Sequence, residues 1–219
     1  MGNMDERTKQ IDADDFRKGL ETLDNEMGRD PWICAFAPIT LLSAGGFLAV
    51  SYLKNRESTS DLDYFLEPQW ADDEDIKKPL RNAVSSTGKA LDFVDGWAND
   101  DMAFFISYRS RQLLFEEAKK QNIVLWEGLN LRILAVPLEW ALERKLRRIH
   151  NGMQDHKRDS DTSDALALLK TLRVRNGGPL VREYIRTLNM CSTEMLPDSA
   201  TMDEIAAAYR RMYNEEAFT

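Results

Sequence analysis

The sequence predicts an α+β fold, in which a mixed β-sheet with flanking helices is followed by a C-terminal helical part. Apolar segments with strand character are confined to the middle of the chain, where they alternate with amphipathic helical patterns. After Pro137 the pattern is helical to the end. We therefore expect an N-terminal helix over residues 1–30, an α/β core over 31–137, and a helical region over 138–219 that packs on the core.

The individual elements follow from spacing and punctuation. Phe16, Leu20 and Leu23 recur at helical spacing, and Gly28 ends that pattern. Segment 102–108 is apolar and aromatic, which predicts a strand but equally fits a buried helical turn. The expected helices are 12–27, a short one after residue 46, 72–86, 111–121, 138–150, 161–173, 178–189 and 201–213, and the expected strands lie within 32–44, 60–68, 122–128 and 131–137.

Charge and composition restrict the classes of function. The net charge is −8 and the isoelectric point is about 5.0, so binding of bulk duplex DNA through the overall field of the protein is not expected. No apolar run is long enough to span a membrane, and the charged N-terminus lacks the apolar region of a signal peptide. Cys34 and Cys191 have no metal-binding spacing. We expect a soluble, cytoplasmic protein without a membrane partner.

Asp61 and Asp63 are the first candidates for chemistry. Side chains alternate along a strand, so these two carboxylates point to the same side of the segment SDLDYFL. Two adjacent carboxylates repel each other unless a cation lies between them, and Mg²⁺ prefers one or two carboxylates together with phosphate oxygens and water. A pair of this kind also arises by chance where a loop enters a strand.

The glycine turn before this segment strengthens the interpretation. Gly45 and Gly46 expose main-chain N–H groups just before a short helix, an arrangement that suits a phosphate, although a simple tight turn explains them equally well. Ser43 adds a hydroxyl. Arg56 and Ser60 precede the acids in a polar loop, where Arg56 either contacts a phosphate or only solvates the loop.

A lysine in the first C-terminal helix is out of place. Lys145 lies about 20° from Leu138 on the apolar face, whereas Glu143, Arg144, Arg147 and Arg148 lie on the opposite side. Its ammonium group either reaches solvent beside a buried stem, pairs with an acid, or faces phosphates in a cleft. Asp161 and Asp164 open the next predicted helix, as caps or as partners of that lysine.

These features together resemble the nucleotidyltransferase superfamily with a DNA polymerase beta-like core. The segments AGG and RESTSDLDY, the lysine and the D-x-x-D pattern are most similar to its minimal members, among them abortive-infection toxin relatives. The segment EEAKKQNIVLWEGLNLRILAVPLEWALERKL resembles one found in uncharacterised fungal proteins of this type. The resemblance implies a nucleotidyltransferase-like mixed sheet and a nucleoside triphosphate. It also implies Mg²⁺ or Mn²⁺ at Asp61 and Asp63, with Gly45 and Gly46 against the phosphates.

The family pattern also includes a third acid on a later strand, which this sequence does not show clearly. The strand segment LRILAV contains no acid, so Glu127 is the first candidate and Asp101 the second. The leading hypothesis is a metal-dependent nucleotidyltransferase that moves a nucleoside monophosphate from a triphosphate to a hydroxyl of a protein, an RNA end or a small molecule. The alternatives are a catalytically degenerate protein that binds nucleotide or a protein partner, and a structural protein.

Overall fold

The computed structural model describes residues 10–152, 155–190 and 195–219. The chain divides into two compact units, Met1–Ala135 and Val136–Thr219. The first unit contains a mixed five-stranded sheet with flanking helices and the second is helical, which confirms the α+β class. Cys191 lies outside the described residues.

The first unit is organised around the sheet. The strands are β1 (Ile11–Asp12), β2 (Ile39–Ser43), β3 (Ser58–Thr59), β4 (Leu62–Leu66), β5 (Ala98–Asn99), β6 (Val124–Glu127) and β7 (Leu131–Ala135). The main sheet has the order β5-β4-β2-β7-β6, and β1 pairs with β3 in a separate ribbon. β4 is antiparallel to β2 and parallel to β5, whereas β7 is parallel to β2 and antiparallel to β6. The end of β2 therefore lies beside the start of β4.

Helices of the first unit cover the apolar side chains of the sheet. They are α1 (Ala13–Met27), α2 (Pro31–Phe36), α3 (Gly45–Leu48), α4 (Glu74–Leu91) and α5 (Tyr108–Gln121). Phe16 and Leu20 of α1 and Leu80 of α4 are almost fully buried and belong to one apolar core with Ile39 and Ile133 of the sheet. Burial of such side chains contributes about 1.5–3 kcal/mol each. The acid pair and the glycine turn predicted to be functional lie at one end of this packed sheet.

A buried carboxylate holds the turn between β6 and β7. Asp24 of α1 is 8% exposed, and it accepts main-chain N–H bonds from Leu129, Asn130 and Leu131 at 3.2, 2.9 and 2.8 Å. The Asn130 side-chain amide donates to the Asp24 carbonyl at 3.0 Å. These bonds satisfy main-chain donors that the tight turn leaves without ladder partners, so α1 fixes the position of the hairpin.

The strand expected over 102–108 is absent. Residues Asp101–Phe105 form a 3-10 helix, and the Phe104 side chain is 82% exposed, so the alternative of a buried helical turn is also wrong for this side chain. Arg111 of α5 donates to the carbonyls of Ala103 and Ile106 at 2.7 and 3.0 Å. These side-chain bonds bind carbonyl groups that a strand would give to a neighbouring strand, a competition that local composition does not reveal.

The second unit contains four described helices. They are α6 (Leu138–Asn151), α7 (Asp155–Asn176), α8 (Arg182–Arg186) and α9 (Ser199–Tyr213). Of the helix expected over 178–189, only the five residues of α8 are helical, and α7 starts six residues earlier than expected. Asp198 caps α9 by accepting the Thr201 N–H at 2.8 Å. Among the described helices of both units, none combines the length and apolar character needed to cross a membrane.

Candidate functional site

The acid pair lies where β4 begins. Asp61 immediately precedes the strand and Asp63 is its second residue. Both acids are half-buried, whereas Leu62 and Tyr64 are 1% and 3% exposed. Because burial alternates in this way, the two carboxylates share the more exposed side of the chain. Burial raises the pKa of the Tyr64 phenol, with a further contribution from the charge of Asp100, so this hydroxyl stays protonated.

The glycine turn lies directly against Asp63. In the antiparallel register Ser43 is opposite Tyr64, so the chain leaves β2 and turns at Gly45 beside the start of β4. Gly45 has a φ of 65°, in the left-handed region. A Cβ atom built there would lie 3.1 Å from Oδ2 of Asp63. The turn and one carboxylate of the pair are therefore brought together by two neighbouring strands.

Gly46 is explained by packing. A Cβ atom built at Gly46 would lie 1.9 Å from Oγ1 and 2.5 Å from Cβ of Thr59. Thr59 is 7% exposed, and β3 holds it in place through its pairing with Ile11 of β1. The second glycine thus allows the Thr59 side chain to lie on the turn. Its predicted contact with phosphate remains a proposal, because the close approach alone accounts for the residue type.

The other residues of the predicted phosphate site, Ser43, Arg56 and Ser60, differ in their burial and hydrogen bonding. Ser43 is fully buried and its hydroxyl donates to the main-chain carbonyl of Asp63 at 2.7 Å, which corrects the expectation that it binds phosphate. Arg56 and Ser60 are half-buried in the loop before the acids. The short helix α3 continues into a π-helix over Ala49–Leu53, and this irregular turn ends at Lys54 in the left-handed conformation.

Glu127 is too far along and across the sheet to join the acid pair. It is opposite Arg132 of β7, which in turn is level with Thr40 near the start of β2, whereas Asp63 lies by the other end of β2. Three strand spacings separate β6 from β4, which is about 14 Å. The Glu127 carboxylate instead pairs with Arg132 at 3.1 Å. The prediction that Glu127 is the third acid is wrong.

Asp101 does not complete the site either. It is exposed and begins the 3-10 helix that follows β5. In the three described stretches of the chain, no group of three or more His, Cys, Asp or Glu side chains could hold a metal ion. Two carboxylates still fit a Mg²⁺ ion that brings its own phosphate oxygens and waters, but they do not form a closed protein cage.

Lys145 belongs to a buried ion cluster within the second unit. Its Nζ lies 2.8 Å from Oδ1 of Asp161 and 2.5 Å from Oδ2 of Asp164. Arg148 adds two bonds to Asp161, at 2.7 and 2.8 Å. The side chains of Lys145, Asp161 and Asp164 are 9%, 7% and 2% exposed. The expected pairing with the acids is thus present. The Lys145 ammonium is neutralised by two carboxylates of the second unit, in place of the predicted phosphate contact.

The two acids of this cluster are not helix caps. Because α7 begins at Asp155, Asp161 and Asp164 lie well inside the helix. Burial pushes the pKa of Asp161 upward, but bonds and charges from Arg148 and Lys145 outweigh it and lower the pKa to about 2. The carboxylate is therefore ionised across the neutral range.

A second buried ion pair was missed by the sequence analysis. Glu143 and Arg147, expected on the solvent side of α6, are 2% and 1% exposed and 3.0 Å apart. Arg147 donates to the Leu188 carbonyl at 2.8 Å, and the Met190 N–H donates to Glu143 at 2.6 Å. Burial raises the pKa of the Glu143 carboxyl, although its bonds oppose this. The i,i+4 spacing of Glu143 and Arg147 could have predicted the pair, because it allows the two charges to be buried together.

The structure therefore brings together part of the predicted site. Asp63 and the Gly45 turn are adjacent, with Asp61 on the same side of the chain, whereas Glu127 and Asp101 do not join them. Lys145, Asp161 and Asp164 form their own cluster in the second unit. No family model matches the chain, and no match was found among curated proteins or solved structures.

Proposed function

We propose that the chain binds a nucleoside triphosphate together with Mg²⁺ or Mn²⁺ at Asp61 and Asp63. The observation that carries the proposal is the contact between the Asp63 carboxylate and the Gly45 turn, where a Cβ atom would lie only 3.1 Å from Oδ2. A carboxylate pair beside a turn with a left-handed glycine offers ligands for a cation and room for its phosphate oxygens.

The residues of this site have distinct tasks. Asp61 and Asp63 would hold the cation, which when bound neutralises phosphate charge. The missing side chain at Gly45 leaves room for the triphosphate next to Asp63. Arg56 and Ser60, both partly exposed in the preceding loop, supply a cation and a hydroxyl for the phosphates.

Binding without nucleotidyl transfer is the form of this proposal that the donor set supports best. Among the described residues, neither candidate for the third carboxylate forms a metal-holding group with the pair: Glu127 is in an ion pair with Arg132, and Asp101, which follows β5 near Asp63, is exposed. Without that group, these residues lack a base to take the proton from an acceptor hydroxyl. The protein would then be a catalytically degenerate nucleotidyltransferase-like module that senses or carries a nucleotide, or presents it to a partner.

Nucleotidyl transfer is the second candidate function. The antiparallel pairing of β2 and β4, which sets the glycine turn beside the acid pair, favours it because the resemblance implies that arrangement for a transferase. The acceptor would be a protein hydroxyl, an RNA end or a small molecule. The donor triphosphate and the cation would occupy the same site as in the binding proposal.

The test measures binding and turnover on the same samples. Calorimetry with each of the four ribonucleoside triphosphates and Mg²⁺ should show binding of at least one by the wild type. Asp61→Asn and Asp63→Asn should each weaken binding tenfold or more, an order of magnitude expected for loss of a charged ligand. Glu127→Gln is the matched control, because it removes an acid outside the site.

Turnover separates the two functions. Labelled triphosphates are incubated with protein, RNA and small-molecule acceptors. Binding without label transfer supports the degenerate module, and transfer that is lost in Asp63→Asn establishes the second candidate. Absence of metal-dependent triphosphate binding by the wild type, or equal binding by Asp63→Asn and Glu127→Gln, would overturn the proposed site.

A further inference from the structure

We infer that Ser43 is a positioning residue that sets the Asp63 carboxylate for cation binding. This inference rests on the proposed function, because it concerns the same cation site. Ser43 is the last residue of β2 and is fully buried, and its hydroxyl donates to the main-chain carbonyl of Asp63 at 2.7 Å. Asp63, which would hold the cation, and Ser43, which orients Asp63, thus lie on neighbouring strands.

The burial of Ser43 indicates that this bond matters to the local structure. Strand β2 reads ITLLS, and its other residues are apolar apart from half-buried Thr40. A hydroxyl that leaves water without a partner costs free energy, whereas an alanine at the same place would fill the core without that cost. The hydrogen bond to Asp63 compensates for the burial of the hydroxyl.

The acceptor of this bond makes the effect specific to Asp63. Leu62 donates its N–H to the Trp97 carbonyl, on the β5 side of β4. Main-chain groups of successive strand residues point to opposite edges, so the Asp63 carbonyl points toward β2, where the Ser43 hydroxyl meets it. Fixing this carbonyl fixes the peptide plane at Asp63, and with it the direction in which the carboxylate leaves the chain.

The space around the carboxylate is narrow enough for this direction to matter. Oδ2 of Asp63 lies 3.1 Å from the position that a Cβ atom would occupy at Gly45. A small rotation of the Asp63 main chain would move the carboxylate toward or away from the turn, changing its separation from Asp61. Cation ligands must be held closely to their productive geometry, so a looser Asp63 binds a divalent ion more weakly.

The experiment compares two buried serines. Wild type, Ser43→Ala and Ser110→Ala are each titrated with Mn²⁺ and the triphosphate that binds in calorimetry, and protein-bound Mn²⁺ is measured by electron paramagnetic resonance against the same titration without protein. Ser110 of α5 is the control, because it is 6% exposed and its hydroxyl is hydrogen-bonded to Ser107 at 2.7 Å. Ser43→Ala should weaken Mn²⁺ binding by about fivefold, the equivalent of one neutral hydrogen bond, and Ser110→Ala should leave it unchanged.

Two further measurements separate positioning from general damage. The spectrum of bound Mn²⁺ should broaden in Ser43→Ala, since its ligands are held less uniformly, and circular dichroism checks that each variant is folded. Ser43→Cys, which keeps the branching of the side chain but has a larger atom and a weaker donor, should lie between wild type and Ser43→Ala. If Ser43→Ala does not fold, Ser43→Cys carries the comparison with Ser110→Ala.

The outcomes distinguish this inference from the proposed function. If the wild type binds Mn²⁺, Asp63→Asn weakens binding, and Ser43→Ala behaves like Ser110→Ala, the positioning role of Ser43 is wrong while the site stands. If the wild type binds no Mn²⁺ with or without nucleotide, the proposed site is wrong and the role of Ser43 is wrong with it.

Discussion

Replacing Lys145 with methionine tests the buried ion cluster of the second unit most directly. Methionine keeps much of the length and apolar stem of lysine but removes the ammonium group. The change leaves Asp164 without its lysine partner, and Asp161 keeps its two bonds to Arg148. Because the Asp164 side chain is only 2% exposed, water does not readily replace the lost charge.

The expected cost follows from the burial of the cluster. The Lys145 ammonium lies 2.8 and 2.5 Å from two buried carboxylates, so its removal breaks two buried ion pairs at once. Removing the lysine also removes the cost of taking its ammonium group out of water, which is several kcal/mol. Because removing one partner of a buried ion pair typically costs about 3–5 kcal/mol, we expect a loss of that size in the free energy of unfolding.

Urea denaturation followed by far-ultraviolet circular dichroism measures the overall loss, and hydrogen–deuterium exchange of α6 and α7 amides locates it in the second unit. Lys170→Met is the matched control, since Lys170 pairs with Glu215 at 2.9 Å but is 35% exposed. That control should lose only about 1 kcal/mol. The double variant Lys145→Met/Asp164→Asn should recover part of the loss, because it removes the buried negative charge that Lys145→Met deprives of its lysine.

Two results would refute this reasoning. Equal stability losses in Lys145→Met and Lys170→Met would mean that burial does not increase the cost of removing the ammonium. A double variant less stable than Lys145→Met would mean that the loss of the lysine partner of Asp164 is not the source of the instability.

Three other predictions concern stability. Asp24→Ala should lower the unfolding free energy by about 3 kcal/mol in urea denaturation, because it removes the acceptor of one buried and two partly buried N–H groups of the β6–β7 turn; an unchanged midpoint would contradict it. Gly46→Ala should lower the unfolding free energy by about 1–3 kcal/mol through overpacking. Gly178→Ala should lower it by less than about 1 kcal/mol, because a Cβ atom built at Gly178 has no other atom within 4 Å. Because the folded pKa of Asp161 is lowered to about 2, its contribution to stability should be complete above about pH 4 and fall as the pH drops toward 2. Urea denaturation at a series of pH values should show a smaller loss over this range in Lys145→Met, because without the lysine the folded pKa of Asp161 lies closer to its unfolded value.

The sequence pattern predicted the structure correctly where the spacing of apolar residues alone determines the element. The alternation that placed Asp61 and Asp63 on one side is visible in their burial, and the two β-segments around Gly128 are present as β6 and β7. These elements depend on the spacing of apolar residues, which a sequence displays directly. The α+β class followed from the same information.

Features that depend on distant partners could not be predicted in this way. The Arg111 side chain stabilises the turn at Asp101–Phe105 through two hydrogen bonds. Gly46 is required because Thr59 of the β1–β3 ribbon lies against it and leaves no room for a side chain. Helical spacing placed Arg147 on the polar side of α6, but the segment around Leu188 covers that side and accepts its hydrogen bond. Each case depends on which residues meet across the fold.

The separation of the predicted motif into two clusters has a consequence for mutagenesis. The acid pair and its turn lie in the first unit, whereas Lys145 has its acidic partners within the second. Since the Lys145 ammonium is compensated by two carboxylates, its loss should change stability and leave triphosphate affinity of the folded protein unchanged. Asp63→Asn should do the reverse, because a half-buried carboxylate against a glycine turn contributes little to packing. Calorimetry and urea denaturation of both variants test this. A large loss of affinity in folded Lys145→Met would show that the lysine acts on the ligand as well as on the helices.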